Sequence, residues 1–153
     1  MTVAVDPGTR CVGVAVRDEA GNMVTFSLVA RDGDLGERLR DLHGKVEALF
    51  ARFHGLAVVL IEEGICRVAG RARNVVKPGL ALAEARGIIM AAAWGRGWEV
   101  RRVGVQTWKR LLTVEERDMP KNARYVAHFN AKHGWRCGSD DEVDAALMIQ
   151  AVA

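Results

Sequence analysis

The apolar positions change period several times along the chain, and each change marks an element. "TVAV" (2–5) is a short continuous apolar run, and "CVGVAVR" (11–17) alternates as a strand does. Pro7-Gly8 between them reads as a turn. "DEAGN" (18–22) marks a second turn, and "MVTFSLVA" (23–30) a third strand. Links this short predict an antiparallel meander. The period then lengthens: Leu35, Leu39, Leu42, Val46, Leu49 and Phe53 recur three or four residues apart, which predicts an amphipathic helix. "LAVVLIE" (56–62) reads as a buried strand ending in acid, and residues 63–77 as a basic loop. "PGLALAEARGIIMAAAWG" (78–95) is apolar nearly all round and opens on proline, as a buried helix does. "WEVRRVGV" (98–105) predicts a fifth strand. Helices follow near 106–112, near 122–133 and from Asp140 to the end. The succession predicts an α/β fold, a mixed sheet covered by helices, in a single domain over residues 1–153.

Charge adds a partner class. The net charge is only +3, but it is unevenly spread. Between Gly64 and Arg110 the segment carries +8, while the rest of the chain carries −5. A basic middle with acidic flanks points to a polyanion-binding surface beside a group of carboxylates. No apolar run reaches the roughly 18 residues of a membrane span, and "MTVAVDPG" carries no signal-peptide pattern. Cys11, Cys66 and Cys137 are odd in number and lack C-x-x-C spacing. They read as inert thiols of a cytoplasmic protein, with neither a zinc site nor a disulfide framework.

Four acids stand where the fold does not ask for them. Asp6 ends the first strand and Glu62 the fourth. Asp141 and Asp144 lie in "SDDEVDAALMIQ", where Ser139 and Glu142 fit a capping box that starts a helix. Asp141 and Asp144 then share one helix face. Singly, each has an ordinary structural reading. Converging in a core they would be costly, and a hard divalent cation with oxygen ligands resolves that cost. Two Mg²⁺ ions, with Mn²⁺ as a substitute, could activate a water and stabilise the leaving oxygen of a phosphodiester.

"VAVDPGTRCVGVAV", "VVLIEEG", "LALAEARGIIMAAA" and "DDEVDAALMI" resemble, in order, the four segments that mark the RuvC-type Holliday junction resolvases of the RNase H-like superfamily. The resemblance implies a five-stranded mixed sheet with three antiparallel and two parallel strands. It also implies a homodimer that nicks opposed strands of a four-way DNA junction, leaving 5′-phosphate and 3′-hydroxyl ends. The family's metal-binding acids map onto Asp6, Glu62, Asp141 and Asp144. Glu62 is preferred to Glu63 because it directly follows the strand's isoleucine, and neighbours on a strand face opposite ways. The family's functional lysines correspond to Lys109 and Lys121, with Lys121 near the scissile phosphate. One departure stands out. The loop "EEGICRVAGRARN" has no aromatic where these resolvases place a junction wedge, only Ile65. It is strongly basic instead, so Arg67, Arg71, Arg73 and Lys77 are expected to grip DNA phosphates, together with Lys109.

Other residues have plainer readings. His43, His54, His128 and His133 fall on predicted helices, away from the acids. Trp94, Trp98, Trp108 and Trp135 read as core or interface anchors, with DNA contact an alternative for Trp108. Gly87, inside a predicted helix, suggests close approach of another element. Three other functions share part of this pattern. A YqgF-type RNA-processing nuclease shares D-x-G-[ST] but not the D-x-x-D pair. A junction-binding protein without catalysis would not need all four acids. An actin-like ATPase would need two such domains.

Overall fold

A computed structural model describes residues 1–55, 57–63 and 73–152, and of residues 73–78 the backbone alone. Its strands are β1 (Thr2–Asp6), β2 (Cys11–Arg17), β3 (Met23–Val29), β4 (Val58–Glu63) and β5 (Glu99–Gly104). They form one sheet in the order β3-β2-β1-β4-β5. The meander β1–β2–β3 is antiparallel, while β4 runs parallel to both β1 and β5. The expected five-stranded mixed sheet is therefore present, with β1 at its centre. Among the described residues no helix is long and apolar enough to cross a membrane.

Strand alternation builds a core on each face. Val3, Val5, Val59 and Ile61 point to one side, where they pack with Leu42, Val46 and Phe50 of α1 (Leu35–Phe50) and Ile89 and Ala93 of α2 (Arg73–Trp94). Ala4, Ala15 and Leu60 point to the other, against α6 (Asp140–Ala151), Trp108 of α3 (Val105–Lys109) and Tyr125 and Phe129 of α5 (Ala123–His133). The second face is built from small residues where α6 crosses. Ala4 and Ala15 meet Ala145 and Ala146, all fully buried. Gly13 completes this seat: a Cβ there would lie 2.2 Å from the Asp141 backbone. The glycine in "CVGVAVR" thus lets the start of α6 rest on β2.

Several boundaries differ from the sequence reading. α1 stops at Phe50, three residues early, although Phe53 still packs against the core from the following turn. His54 lies beyond the helix. α2 begins at Arg73, so Pro78 sits inside it rather than opening it, and part of the expected basic loop is helical. A further turn, α4 (Val114–Arg117), is capped by Thr113 and Glu116 in a region expected to be loop. Among the described residues of the chain itself no element approaches Gly87: a Cβ there would meet nothing within 4 Å. Trp94 is no core anchor either, being 58% exposed.

Candidate active site

The register of the central strands brings the first two acids together. Val5 pairs with Ile61, so Asp6 and Glu62 are the next residues along neighbouring parallel strands. Asp6 shares a face with Ala4, and Glu62 with Leu60, both on the α6 side. Glu63 turns the other way and meets Arg102 at the surface, 3.6 Å away. The turn after Asp6 is tight because Gly8 has no side chain; a Cβ there would lie 2.1 Å from the Cys11 carbonyl oxygen. That turn returns the chain into β2, where Gly13 seats α6 and so delivers Asp141 and Asp144 beside Asp6.

The electrostatics follow from this crowding. Burial raises the Asp6 pKa to about 8, and the neighbouring charges of Glu62, Asp144 and Asp141 push it the same way. Burial likewise raises the pKa values of Glu62, Asp141 and Asp144. Lys121 opposes the rise at each of the four. Its Nζ donates to Asp144 Oδ2. Burial alone would depress the lysine, but Asp144, with Asp6 and Asp140, outweighs it and holds the ammonium above its ordinary pKa. Lys121 therefore stands among the carboxylates, paired with one of them. Lys109 lies 5.5 Å from the Trp108 ring centre and lowers the Glu62 pKa, so it borders the same patch.

Three neutral donors escaped the sequence reading. Trp108 Nε1 donates to Glu62 Oε2 at 3.2 Å, and the ring is 1% exposed. Trp108 therefore anchors the core and holds a carboxylate; it is not placed for DNA contact. Tyr125, also buried, donates its hydroxyl to Asp144 Oδ1 at 2.8 Å. The Cys11 thiol lies beside Asp141 and lowers its pKa. Cys11 itself is pushed up to about 12, by burial first and then by Asp141, so it stays protonated. A fourth omission is Arg86, whose Nε is buried without a hydrogen-bond partner among the described residues. It lines a cavity of about 210 Å³ with Glu62, Glu63 and Arg102.

Glu142 behaves differently from the expected capping box. Ser139 does accept from the Glu142 N–H at 3.2 Å. The Glu142 carboxylate, however, accepts from Thr25 and Ser27 at 2.5 Å and from the Gly138 N–H at 2.9 Å. Two hydroxyls of β3 outcompete the cap, and the first turn of α6 is tied to the sheet edge instead.

The donor set suits a hard cation: four carboxylates with raised pKa values, whose mutual repulsion such a charge offsets. Among the described residues no three Asp, Glu, His or Cys side chains already stand in a chelating group. Glu62 accepts from Trp108, and Asp144 accepts from Tyr125 and Lys121. Of the residues expected to grip DNA, Arg67 and Arg71 lie outside the described residues. Arg73 and Lys77 fall in the first turns of α2, where only the backbone is described.

Comparison with known proteins places this arrangement. The family profile "Crossover junction endodeoxyribonuclease RuvC" matches residues 2–123. RuvC of Nitratidesulfovibrio vulgaris Hildenborough is 25% identical over 151 residues, covering 95% of this chain and 87% of that protein. RuvC of Myxococcus xanthus is 35% identical over 103 residues, 64% of this chain and 50% of that protein. Among solved structures, T. thermophilus RuvC in complex with a Holliday junction substrate superposes with a TM-score of 0.71 at 18% identity, covering 99% of this chain and 92% of that one. The yeast mitochondrial Holliday junction resolvase Ydc2 follows at 0.56 and 13%, with coverages of 98% and 77%. The structural likeness is one of fold; the profile match, spanning β1 through Lys121, establishes the lineage. The chain belongs to the RuvC family of crossover junction endodeoxyribonucleases.

Proposed function

We propose that this chain resolves four-way DNA junctions by paired, metal-dependent nicks that leave 5′-phosphate and 3′-hydroxyl ends. One observation carries the reading: Asp6 and Glu62 end adjacent parallel strands on one face, where α6 adds Asp141 and Asp144. These four residues would hold two Mg²⁺ ions, or Mn²⁺ in their place, which supply activation of the attacking water and stabilisation of the departing 3′ oxygen. Trp108 and Tyr125 orient two of the carboxylates. Lys121, beside Asp144, can face the scissile phosphate. Lys109, Arg67, Arg71, Arg73 and Lys77 supply positive charge for the DNA backbone.

A homodimer in the cytoplasm completes the reading, since opposed nicks need two such sites. Its interface is proposed on α2. That helix exposes Leu80 and Trp94 and, with Leu39 of α1, borders a shallow apolar groove at Gly87, Ile88 and Ala91. The open space at Gly87 leaves the helix surface low enough for a facing helix. Light scattering tests the dimer.

The test of function is cleavage with and without Mg²⁺ on a four-way junction, a flap, a linear duplex and an RNA hybrid. Symmetric nicking of the junction, lost in Asp6→Asn while binding persists, is the expected result. Preference for the RNA hybrid would favour an RNA-processing nuclease, and binding without nicking a purely structural role.

A further inference from the structure

One sizeable cavity lies apart from the four acids. It measures about 600 Å³ and is lined by Arg17, Thr25, His133, Trp135, Arg136 and Gln150 among others. A second hollow continues it past Arg17, His133 and Gln150 to Lys132 and Leu111. No Asp or Glu lines either one.

Its place in the fold is set by β2. Cys11, Gly13, Ala15 and Arg17 alternate onto the α6 face, Cys11 and Gly13 beside Asp141 and Arg17 beside Ile149 and Gln150. The cavity therefore shares a face with the acids, with Arg17, Ile149 and Gln150 at the far end of α6 and Thr25 reaching back to Glu142 in its first turn. At 1.5 Å per residue, Asp141 and Gln150 are roughly 13 Å apart along the helix axis.

Its chemistry is specific. His133 stacks on Phe129, with planes 7° apart, and Trp135 stacks on His133 with ring centres 4.3 Å apart. Burial and nearby Lys132 lower the His133 pKa, which keeps that ring neutral within the stack. Among the described residues Arg17 and Arg136 make no salt bridge or side-chain hydrogen bond. Lys132 is already committed to Glu116, at 2.7 Å. The two arginines are thus the available cations, beside a half-buried indole backed by two further rings.

We propose that this cavity is a second nucleic-acid contact, in which an unpaired nucleotide stacks its base on Trp135 and sets its phosphates against Arg17 and Arg136. Aromatic platforms with flanking cations bind single strands without needing sequence, because every base has a π-face. The cavity has room for one nucleotide and opens along the Arg17–Lys132 hollow for the strand to continue. A strand whose phosphates meet Arg17 would lie about the length of α6 from the cleavage site, on the same side of the sheet. The contact does not depend on the carboxylates and is measured without metal.

The experiment is fluorescence anisotropy of a labelled oligo-dT with the full chain in EDTA, across a salt titration. Removing two phosphate contacts lowers the slope of log K against log salt by about 1.4, at 0.7 per contact for single strands, so Arg17→Ala/Arg136→Ala should show that change. Trp135→Ala should weaken binding roughly tenfold, and Trp135→Phe, which keeps a π-face, should retain most of it. Nicking of the four-way junction by all three variants at saturating protein should stay at the wild-type rate, which separates this contact from cleavage. Ultraviolet cross-linking should capture the peptide containing Trp135. An unchanged salt slope together with affinity within twofold of wild type in Trp135→Ala would overturn the proposal, as would failure of the wild-type chain to bind the oligonucleotide.

Discussion

Asp6→Asn should make the metal-free protein more stable, even though it removes the acid at the centre of the site. The Asp6 pKa stands at about 8 in the folded chain against 3.8 for an unperturbed aspartate. Between those values the native state holds a proton that the unfolded chain has released. Stability therefore falls as pH rises through that window. At 1.36 kcal/mol per unit, retaining the proton up to pH 7 costs on the order of 4 kcal/mol. Asparagine keeps the shape without the charge, but its buried amide returns about 1–2 kcal/mol of that as desolvation. The net gain is about 2–3 kcal/mol, or roughly 5–10 °C in Tm for a chain of this size. Thermal unfolding of both proteins in EDTA, from pH 4 to pH 8, measures it. The gap should widen with pH: near pH 4 the folded aspartate is protonated and the unfolded one only about half ionised, so the charge cost is under about 1 kcal/mol and the amide cost leaves the variant level with or slightly below wild type. Added Mg²⁺ should stabilise the wild type more than the variant and narrow the gap. A variant less stable than wild type at pH 7 in EDTA, or a gap of equal size at pH 4 and pH 8, would refute the argument that burial, reinforced by neighbouring carboxylates, holds a proton on Asp6.

Further outcomes follow from the same geometry. Glu62→Gln should abolish junction nicking, while Glu63→Gln, altering only a surface contact with Arg102, should leave the rate within about twofold; a nicking assay on the pair checks strand alternation. Trp108→Phe keeps one aromatic ring but removes the donor to Glu62 and part of the packed indole, so the Mg²⁺ concentration for half-maximal nicking should rise roughly threefold to tenfold, with about 2–3 kcal/mol lost in urea unfolding. Tyr125→Phe strips a donor from buried Asp144 and should cost about 1.5–3 kcal/mol in urea unfolding. Gly13→Ala drives a methyl group to 2.2 Å from the Asp141 backbone, so both nicking and Tm should drop sharply, the latter by an amount typical of overpacking, about 1–3 kcal/mol.

The parts of the site readable in the sequence were those written in local pattern. Asp6 and Glu62 each close an apolar strand; alternation admits only one of Glu62 and Glu63, and the place of Glu62 directly after Ile61, as in the resembling family, picks it. Ser139 marks the start of α6 and thereby fixes Asp141 and Asp144 on one helix. Trp108 and Tyr125 left no such trace. Their partners lie 46 and 19 residues away, and only the docking of α3 and α5 against the sheet brings them together. Glu142 shows a local motif overruled by tertiary contact, since two hydroxyls on β3 take the carboxylate that the capping pattern assigned to Ser139. The two glycines divide instructively. Gly13, buried in an alternating strand, is the one that admits a neighbouring backbone, whereas Gly87, which looked anomalous inside a helix, faces open space. A glycine by itself does not say whether it is needed by its own chain or left bare for a partner.

The central claim is that Asp6, Glu62, Asp141 and Asp144 bind cations as one unit. Titration of the metal-free protein with Mn²⁺, followed by the loss of the free-ion electron paramagnetic resonance signal, tests this without DNA or turnover. Two bound ions per chain, with binding weakened at least tenfold by each of Asp6→Asn, Glu62→Gln, Asp141→Asn and Asp144→Asn, is the result the account predicts. Mn²⁺ binding that survives Asp6→Asn and Asp144→Asn unchanged would contradict it.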